Sequence, residues 1–255
     1  MTKRNTQLRR NTIATLVEEQ GEVTVEELAQ RFETSEVTIR KDLASLEQSG
    51  QLLRRYGGAV SIPTESLQEA VEKKVSQNKL AMAEMAAGLI KDHNRIIIDF
   101  GSTTGALVPH LNEKRGLVVM TNSLNLANAL NELESEPTLL MTGGTWDSHS
   151  DAFQGQVAEA ALRSYDFDQL FVGADGVDLE RGTTTFNELM GLSRVMAEVS
   201  REVIVMIESE KVGRRIPNLE LAWENIDILI TDADLTDEQV SIIESKQVRV
   251  LRASA

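Results

Sequence analysis

Residues 97–105 read IIDFGSTTG. An apolar run from Ile96 to Ile98 gives way to Asp99 and Phe100, and then to a turn of glycine and hydroxyls, Gly101, Ser102, Thr103, Thr104 and Gly105. A buried strand that ends in such a turn can present backbone N–H groups to an anion, because small residues let the chain approach it closely. Outward from this stretch the pattern repeats. A helix begins at about Gln77 and runs through LAMAEMAAGLI. Apolar runs at 95–100, 116–121, 137–142, 167–175, 202–207, 226–231 and 248–251 then alternate with helical stretches at about 104–112, 123–133, 155–164, 188–200 and 236–245. Short continuous apolar runs separated by helices predict an α/β fold with a mainly parallel, Rossmann-like sheet.

In an open sheet of this kind ligands bind beyond the carboxyl ends of the strands. Several of those ends are polar here. Asp99 precedes Gly101-Ser102-Thr103-Thr104, Thr121 precedes Asn122, Thr142 precedes Gly143-Gly144, and Gly173-Ala174 precedes Asp175. Thr183-Thr184-Thr185-Phe186-Asn187-Glu188 leads into a helix, and Glu208-Ser209-Glu210-Lys211 follows another strand. Together they suit a small, polyhydroxylated, anionic ligand. Asp175 and Asn122 would meet its hydroxyls, the Gly101 turn and Lys211 its charge, and Asp99, Thr184, Asn187 and Glu188 complete the expected effector site. Plainer roles stay open: Asn122 as the cap of the helix at 123, Gly143 and Gly144 as turn formers, Asp175 as an ion-pair partner of Lys211. Glu188 is the nearest candidate base were the ligand to be transformed, and it equally suits a helix start.

The first 60 residues have a different character. TQLRRNTIATLVEEQG, TVEELAQRF and SEVTIRKDLASLEQSG predict three helices, with Thr24 and Glu27 forming a capping box and Ser35 an N-cap. QLLRRYGGAVSI then reads as strand, Gly57-Gly58 turn, strand. Three helices and a hairpin form a winged helix-turn-helix. On a helical wheel Ile39, Leu43 and Leu46 make the inner stripe of the third helix, and Val37, Lys41, Ala44 and Gln48 face away, flanked by Thr38, Arg40 and Ser45. Cations, hydroxyls, an amide and an aliphatic group suit the major groove of double-stranded DNA. Ser35 and the wing residues Arg54, Arg55 and Tyr56 complete the expected DNA-binding set. Pro63 and weak periodicity mark 61–76 as a linker, so the division is 1–60, 61–76 and 77–255, the last carrying ligand binding and self-association.

Charge agrees with two functions in one chain. The net charge is −14, yet residues 1–58 carry nine basic and nine acidic side chains, so the whole surplus lies beyond them. A basic cluster joined to an acidic body fits a small DNA-reading module and argues against general nucleic-acid binding. There is no cysteine, which excludes a disulfide framework and fits a reducing, cytoplasmic setting. No apolar run reaches the ~18 residues of a membrane span. His93, His110 and His149 lack ligand spacing, so neither a metal nor a cofactor is expected.

Taken together, SEVTIRKDLASLEQSGQLLRRYGGAV, IIIDFGSTT, MTNSLNLANAL, LLMTGG, FDQLFVGADGVD, RGTTTFNE and EVIVMIESEK with GRR resemble the DeoR family of bacterial sugar-operon repressors over almost the whole chain. Within the family the chain looks most like the glucitol (sorbitol) operon repressors. The resemblance implies a C-terminal sensor similar to ribose-5-phosphate isomerase and the CoA transferases. It further implies a phosphorylated sugar or polyol effector that controls binding to operator DNA, a dimer or tetramer, and no catalysis. Two stretches depart from the family pattern. Trp146-Asp147-Ser148-His149 stands where relatives often carry basic residues, and Glu208-Ser209-Glu210-Lys211 where they usually read Asp-Ser-Ser-Lys or Asp-Ser-Thr-Lys. A carboxylate at Glu210 would weaken a phosphate site unless it points away.

Overall fold

The structure is a computed structural model that describes residues 3–48, 52–55, 57–60, 75–148, 150–186, 191–214 and 216–254. The chain divides into two compact units, residues 1–74 and 75–255. The expected linker falls almost wholly in 61–74, outside the described residues.

In the first unit α1 (Lys3–Gln20), α2 (Val25–Arg31) and α3 (Glu36–Gln48) surround a core of Ile13, Val17, Leu28, Ile39, Leu43, Leu46 and Leu52. The capping box forms as the sequence indicates, with Glu27 N donating to Thr24 Oγ1 and Thr24 N donating to Glu27 Oε2. A strand absent from the sequence reading, β1 (Glu22–Thr24), joins β2 (Leu53–Arg55) and β3 (Gly58–Val60) in the antiparallel order β1-β3-β2. Three residues carry too little periodicity to announce a strand, and β1 exists because β3 pairs with it. Gly58 permits that pairing, since a β-carbon there would collide with the Val23 carbonyl.

The second unit is built on a parallel sheet, seven-stranded among the described residues. Its strands are β4 (Arg95–Ile98), β5 (Val118–Thr121), β6 (Thr138–Met141), β9 (Phe167–Val172), β12 (Ser200–Met206), β14 (Ile228–Asp232) and β15 (Arg249–Ala253), in the order β15-β14-β12-β9-β4-β5-β6. Each corresponds to one of the seven apolar runs. Alternation on β4 splits the core: Ile96 and Ile98 face a layer holding Met82, Ala86, Leu107 and Leu126, and Ile97 faces one holding Leu162, Leu192, Met196 and Ile243. Helices therefore cover both faces, namely α4 (Gln77–Leu89), α5 (Ser102–Gly105) and α6 (Leu124–Asn131) on the first, and α7 (Gln156–Leu162), α8 (Gly191–Glu198) and α9 (Asp237–Glu244) on the second. The chain leaves β4 toward β5 and β6 and returns on the other side of β4 at β9. That reversal makes the carboxyl end of β4, where the Gly101 turn begins, the topological switch point at which open α/β sheets bind ligands.

Outside this sheet lie a hairpin of β7 (Thr145–Asp147) and β8 (Ala152–Gln154), and a small antiparallel sheet in the order β10 (Gly176–Asp178), β11 (Gly182–Thr185), β13 (Asn218–Ala222). The helix expected at 104–112 is instead the single turn α5 followed by a 3-10 turn over Val108–Glu113, with Pro109 in its first positions. Proline has no N–H to continue an α-helical ladder.

Candidate functional site

On α3, Ile39, Leu43 and Leu46 are buried, whereas Val37 is 59% exposed and Lys41 is exposed. Ser35 caps the helix, with its hydroxyl accepting from Thr38 N at 3.3 Å and lying 2.9 Å from the Thr38 hydroxyl. Arg40 is exposed and paired with Glu36 at 2.6 Å, one turn back. The far end of the expected face differs. Ala44 and Ser45 are half-buried, and Ser45 Oγ accepts from Arg10 Nη1 at 2.6 Å. The same arginine and Arg9 clamp Asp42, which is 2% exposed, through Nε contacts of 2.8 and 2.7 Å. Ser45 thus belongs to an α1–α3 lock, because the wheel had no means of placing α1 beside it. The side chains of Gln48, Arg54 and Arg55 and the whole of Tyr56 lie outside the described structure.

In the second unit the end of β4 carries a closed set of hydrogen bonds. Asp99 is 4% exposed and Asn122 is fully buried. Asn122 Nδ2 donates to Asp99 Oδ1 at 2.8 Å, and Asn122 Oδ1 accepts from Phe100 N at 3.1 Å. The cap of α6 is Ser123, not Asn122. Burial pushes the Asp99 carboxyl up to about 7, against the hydrogen bonds from Asn122 and Phe100 N that pull it down. Gly101 sits at φ 132°, a conformation that favours glycine, and turns the chain into α5.

The three hydroxyls of the turn are not equivalent. Thr104 Oγ1 donates inward to the Asp99 carbonyl at 2.8 Å and the Gly101 carbonyl at 3.2 Å, so it fixes the turn rather than facing a ligand. Thr103 is buried and Ser102 is half-buried. Ser102 Oγ accepts from Lys79 Nζ at 2.8 Å. Lys79, on the first turn of α4, is 8% exposed, and its Nζ also lies 3.7 Å from Glu208 Oε2, while Ser76 Oγ donates to Glu208 Oε1 at 2.9 Å. The buried ammonium at the Gly101 turn is not legible in the sequence, because a lysine in a helix start looks like solvated surface. The half-buried Lys211 closes the 3-10 turn Ser209–Lys211. Glu210 is 61% exposed and pairs with Arg214 at 3.2 Å, turned to the surface.

The remaining expected residues form the neighbouring walls. Gly143 and Gly144 have φ of 59° and 115°, and a β-carbon at Gly144 would stand 2.5 Å from the Gln154 carbonyl. Asp175 Oδ2 accepts from Thr185 Oγ1 at 2.7 Å and Phe186 N at 3.0 Å, which ties the end of β11 back to the loop after β9. Thr184 is fully buried. Asn187 and Glu188 lie outside the described residues. Among the described residues no group of His, Asp or Glu is arranged to hold a metal, and no helix is long and apolar enough to cross a membrane.

A winged helix-turn-helix joined to a doubly covered parallel sheet, with polar residues at its switch point, is the make-up of a two-unit DNA-binding regulator. Residues 9–65 match the DeoR-like helix-turn-helix domain and residues 74–233 the DeoR C terminal sensor domain. The chain is 38% identical to the putative aga operon transcriptional repressor of Escherichia coli O157:H7 over 95% of its own length and 92% of the relative's. It is 33% identical to the HTH-type transcriptional regulator GlpR of Haloferax volcanii, over 95% of this chain and 96% of that one. Among solved structures it is similar to ribose 5-phosphate isomerase A from Methanocaldococcus jannaschii, at 20% identity and a TM-score of 0.38, over 52% of this chain and 53% of that one. The chain belongs to the DeoR family: it is a DNA-binding transcription regulator and not an enzyme.

Proposed function

We propose that the protein represses a sugar or sugar-alcohol catabolic operon by binding double-stranded operator DNA through α3 and the wing, under the control of a phosphorylated sugar or polyol bound at the carboxyl ends of β4, β5 and β9. The observation that carries the effector assignment is Lys79 Nζ, buried and 2.8 Å from Ser102 Oγ beside the Gly101 turn. A cation held out of water beside a hydroxyl at a glycine turn, with Glu208 Oε2 3.7 Å away, suits an anionic ligand that draws it from that carboxylate. The 92% and 96% coverage of relatives named as a repressor and a regulator supports the transcriptional part. The glucitol branch rests on the sequence resemblance alone. The second unit pairs copies of the chain, so that two heads read an inverted repeat in a dimer or tetramer.

A thermal-shift screen of sugar and polyol phosphates against their unphosphorylated parents tests the reading. A ligand that binds only the folded state raises its melting temperature. Phosphorylated compounds should raise it and release operator DNA, and the parents should do neither at equal concentration. Equal shifts with and without the phosphate would remove the anion from the reading.

A further inference from the structure

Glu220 lies on β13 with 8% of its surface exposed. One carboxyl oxygen, Oε1, accepts from Ser193 Oγ of α8 at 2.8 Å. The other, Oε2, is buried and has no hydrogen-bond partner. A carboxyl oxygen buried without a hydrogen-bond partner costs free energy even when the group is neutral, and a ligand that supplies the partner removes that cost.

The strand beside β13 links Glu220 to the loop after β9. Thr183 and Thr185 of β11 lie on one face of the small sheet. Thr183 Oγ1 receives the N–H of Leu221, the residue after Glu220, at 3.1 Å. Thr185 Oγ1 donates to Asp175 Oδ2 at 2.7 Å. Asp175 is thus tied to the strand that pairs with β13, and the charges of Asp99 and Asp175 both act on Glu220. Burial first, and these two neighbours next, push its carboxyl up to about 8. Residues of the candidate effector site from the end of β4 and from the loop after β9 thus lie near enough for their charges to reach a carboxyl on a third element.

We infer that Glu220 is a specificity-determining residue of the effector site, its unpartnered oxygen receiving a hydrogen-bond donor, a hydroxyl or an ammonium, from the part of the effector remote from the phosphate. The inference rests on the sugar-phosphate reading above. The phosphate sits at Ser102 and Lys79, and Asp99, Asp175 and Glu220 read the rest of the molecule. A partly protonated carboxyl can also donate to a hydroxyl oxygen, so polyhydroxylated compounds suit it in either state. Sequence reading passed over Glu220 because NLELA alternates like the outward face of an ordinary strand.

The test uses the full chain, wild type and Glu220→Gln, titrated calorimetrically with inorganic phosphate, glucose 6-phosphate, 2-deoxyglucose 6-phosphate and glucosamine 6-phosphate. The wild type should bind at least one sugar phosphate more tightly than inorganic phosphate. Glu220→Gln, nearly identical in shape, should weaken that compound roughly tenfold or more while inorganic phosphate changes by less than about twofold. A loss largest for the amino sugar marks the donor as an ammonium, and one largest for glucose 6-phosphate over its deoxy analogue marks a hydroxyl. Ser193→Ala, which removes the group orienting Oε1, should give a smaller loss of the same kind and guards against a misfolded glutamine variant. An unchanged ratio of sugar phosphate to phosphate affinity in both variants overturns the inference and leaves the anion site standing. Failure of inorganic phosphate and every sugar phosphate to bind the wild type overturns the effector reading itself. Sugar phosphates that bind no tighter than phosphate refute the subsite.

Discussion

Asn122 and Asp99 are joined side chain to side chain, 2.8 Å apart, at the ends of two neighbouring parallel strands. The amide also receives Phe100 N, so one buried residue fixes both the carboxyl and the backbone entering the Gly101 turn. Asn122→Leu keeps the volume and removes both bonds, leaving Asp99 Oδ1 and Phe100 N without their partner. A loss of ~1–3 kcal/mol is expected, together with a weaker effector shift because the turn loses its anchor. Chemical denaturation of wild type and variant, with and without a binding sugar phosphate, measures both. A variant as stable as wild type would make Asn122 incidental.

Two buried carboxyls set the pH dependence of the second unit. Asp99 rises from 3.8 to about 7 and Glu220 from 4.5 to about 8 on folding, each mainly through burial. Between those limits the folded chain holds protons that the unfolded chain has released. Stability therefore falls as pH rises from ~4 to ~8 and levels off above. Melting curves from pH 5 to 8.5 should show the decline, and Glu220→Gln should flatten it in its upper half. A melting temperature that climbs through the same range would show the carboxyls to be stabilised as anions.

Lys79 carries the anion assignment. Replacing it with methionine retains the buried stem and removes the charge beside Ser102 and Glu208. Phosphate-bearing ligands should bind roughly 10- to 100-fold more weakly, the range for losing a charged hydrogen bond. Operator affinity without ligand should persist, so the variant should be a repressor that no longer responds. Loss of operator binding along with ligand binding would instead make Lys79 a general structural cation.

How far the sequence was legible depended on whether an element announces itself or is made by a partner. The inner strands of the main sheet are buried on both faces toward their carboxyl ends, so each reads as an apolar run with a polar stop, and the carboxyl-end loops follow from that reading. β1 and β11 do not announce themselves: GTTT has neither apolar content nor alternation, and it is a strand because β10 and β13 flank it. The same division runs through the site. Asp99 and Asn122 end apolar runs and stand out. Lys79 and Glu220 sit inside ordinary-looking elements, and only their burial, which neighbouring segments impose, distinguishes them from surface charges. Thr104 and Ser45 went the other way: both read as outward hydroxyls, and both bond inward, to the turn's own carbonyls and to Arg10.

Adjacent residues on α3 separate folding from DNA recognition. Asp42 points inward and is clamped by Arg9 and Arg10, whereas Lys41, one position earlier, is exposed on the Val37 side. Asp42→Ala leaves two guanidinium groups without their carboxylate at the α1–α3 contact, and removing one partner of a buried pair costs ~3–5 kcal/mol. Such a loss is comparable to the whole stability of a small unit. This variant should lose operator binding through unfolding of residues 1–74, seen as a lost or lowered first melting transition, with ligand-induced stabilisation of the second unit intact. Lys41→Ala should leave both transitions in place. If Lys41 meets a base, it should weaken operator binding by ~1–3 kcal/mol and relax preference at one position. If it meets phosphate alone, the loss should be uniform over sequences and the salt slope should drop by about one. Measuring affinity for operator and scrambled DNA at several salt concentrations distinguishes the two. Wild-type affinity in a folded Lys41→Ala protein would move the recognition face of α3 away from the Val37–Lys41 side.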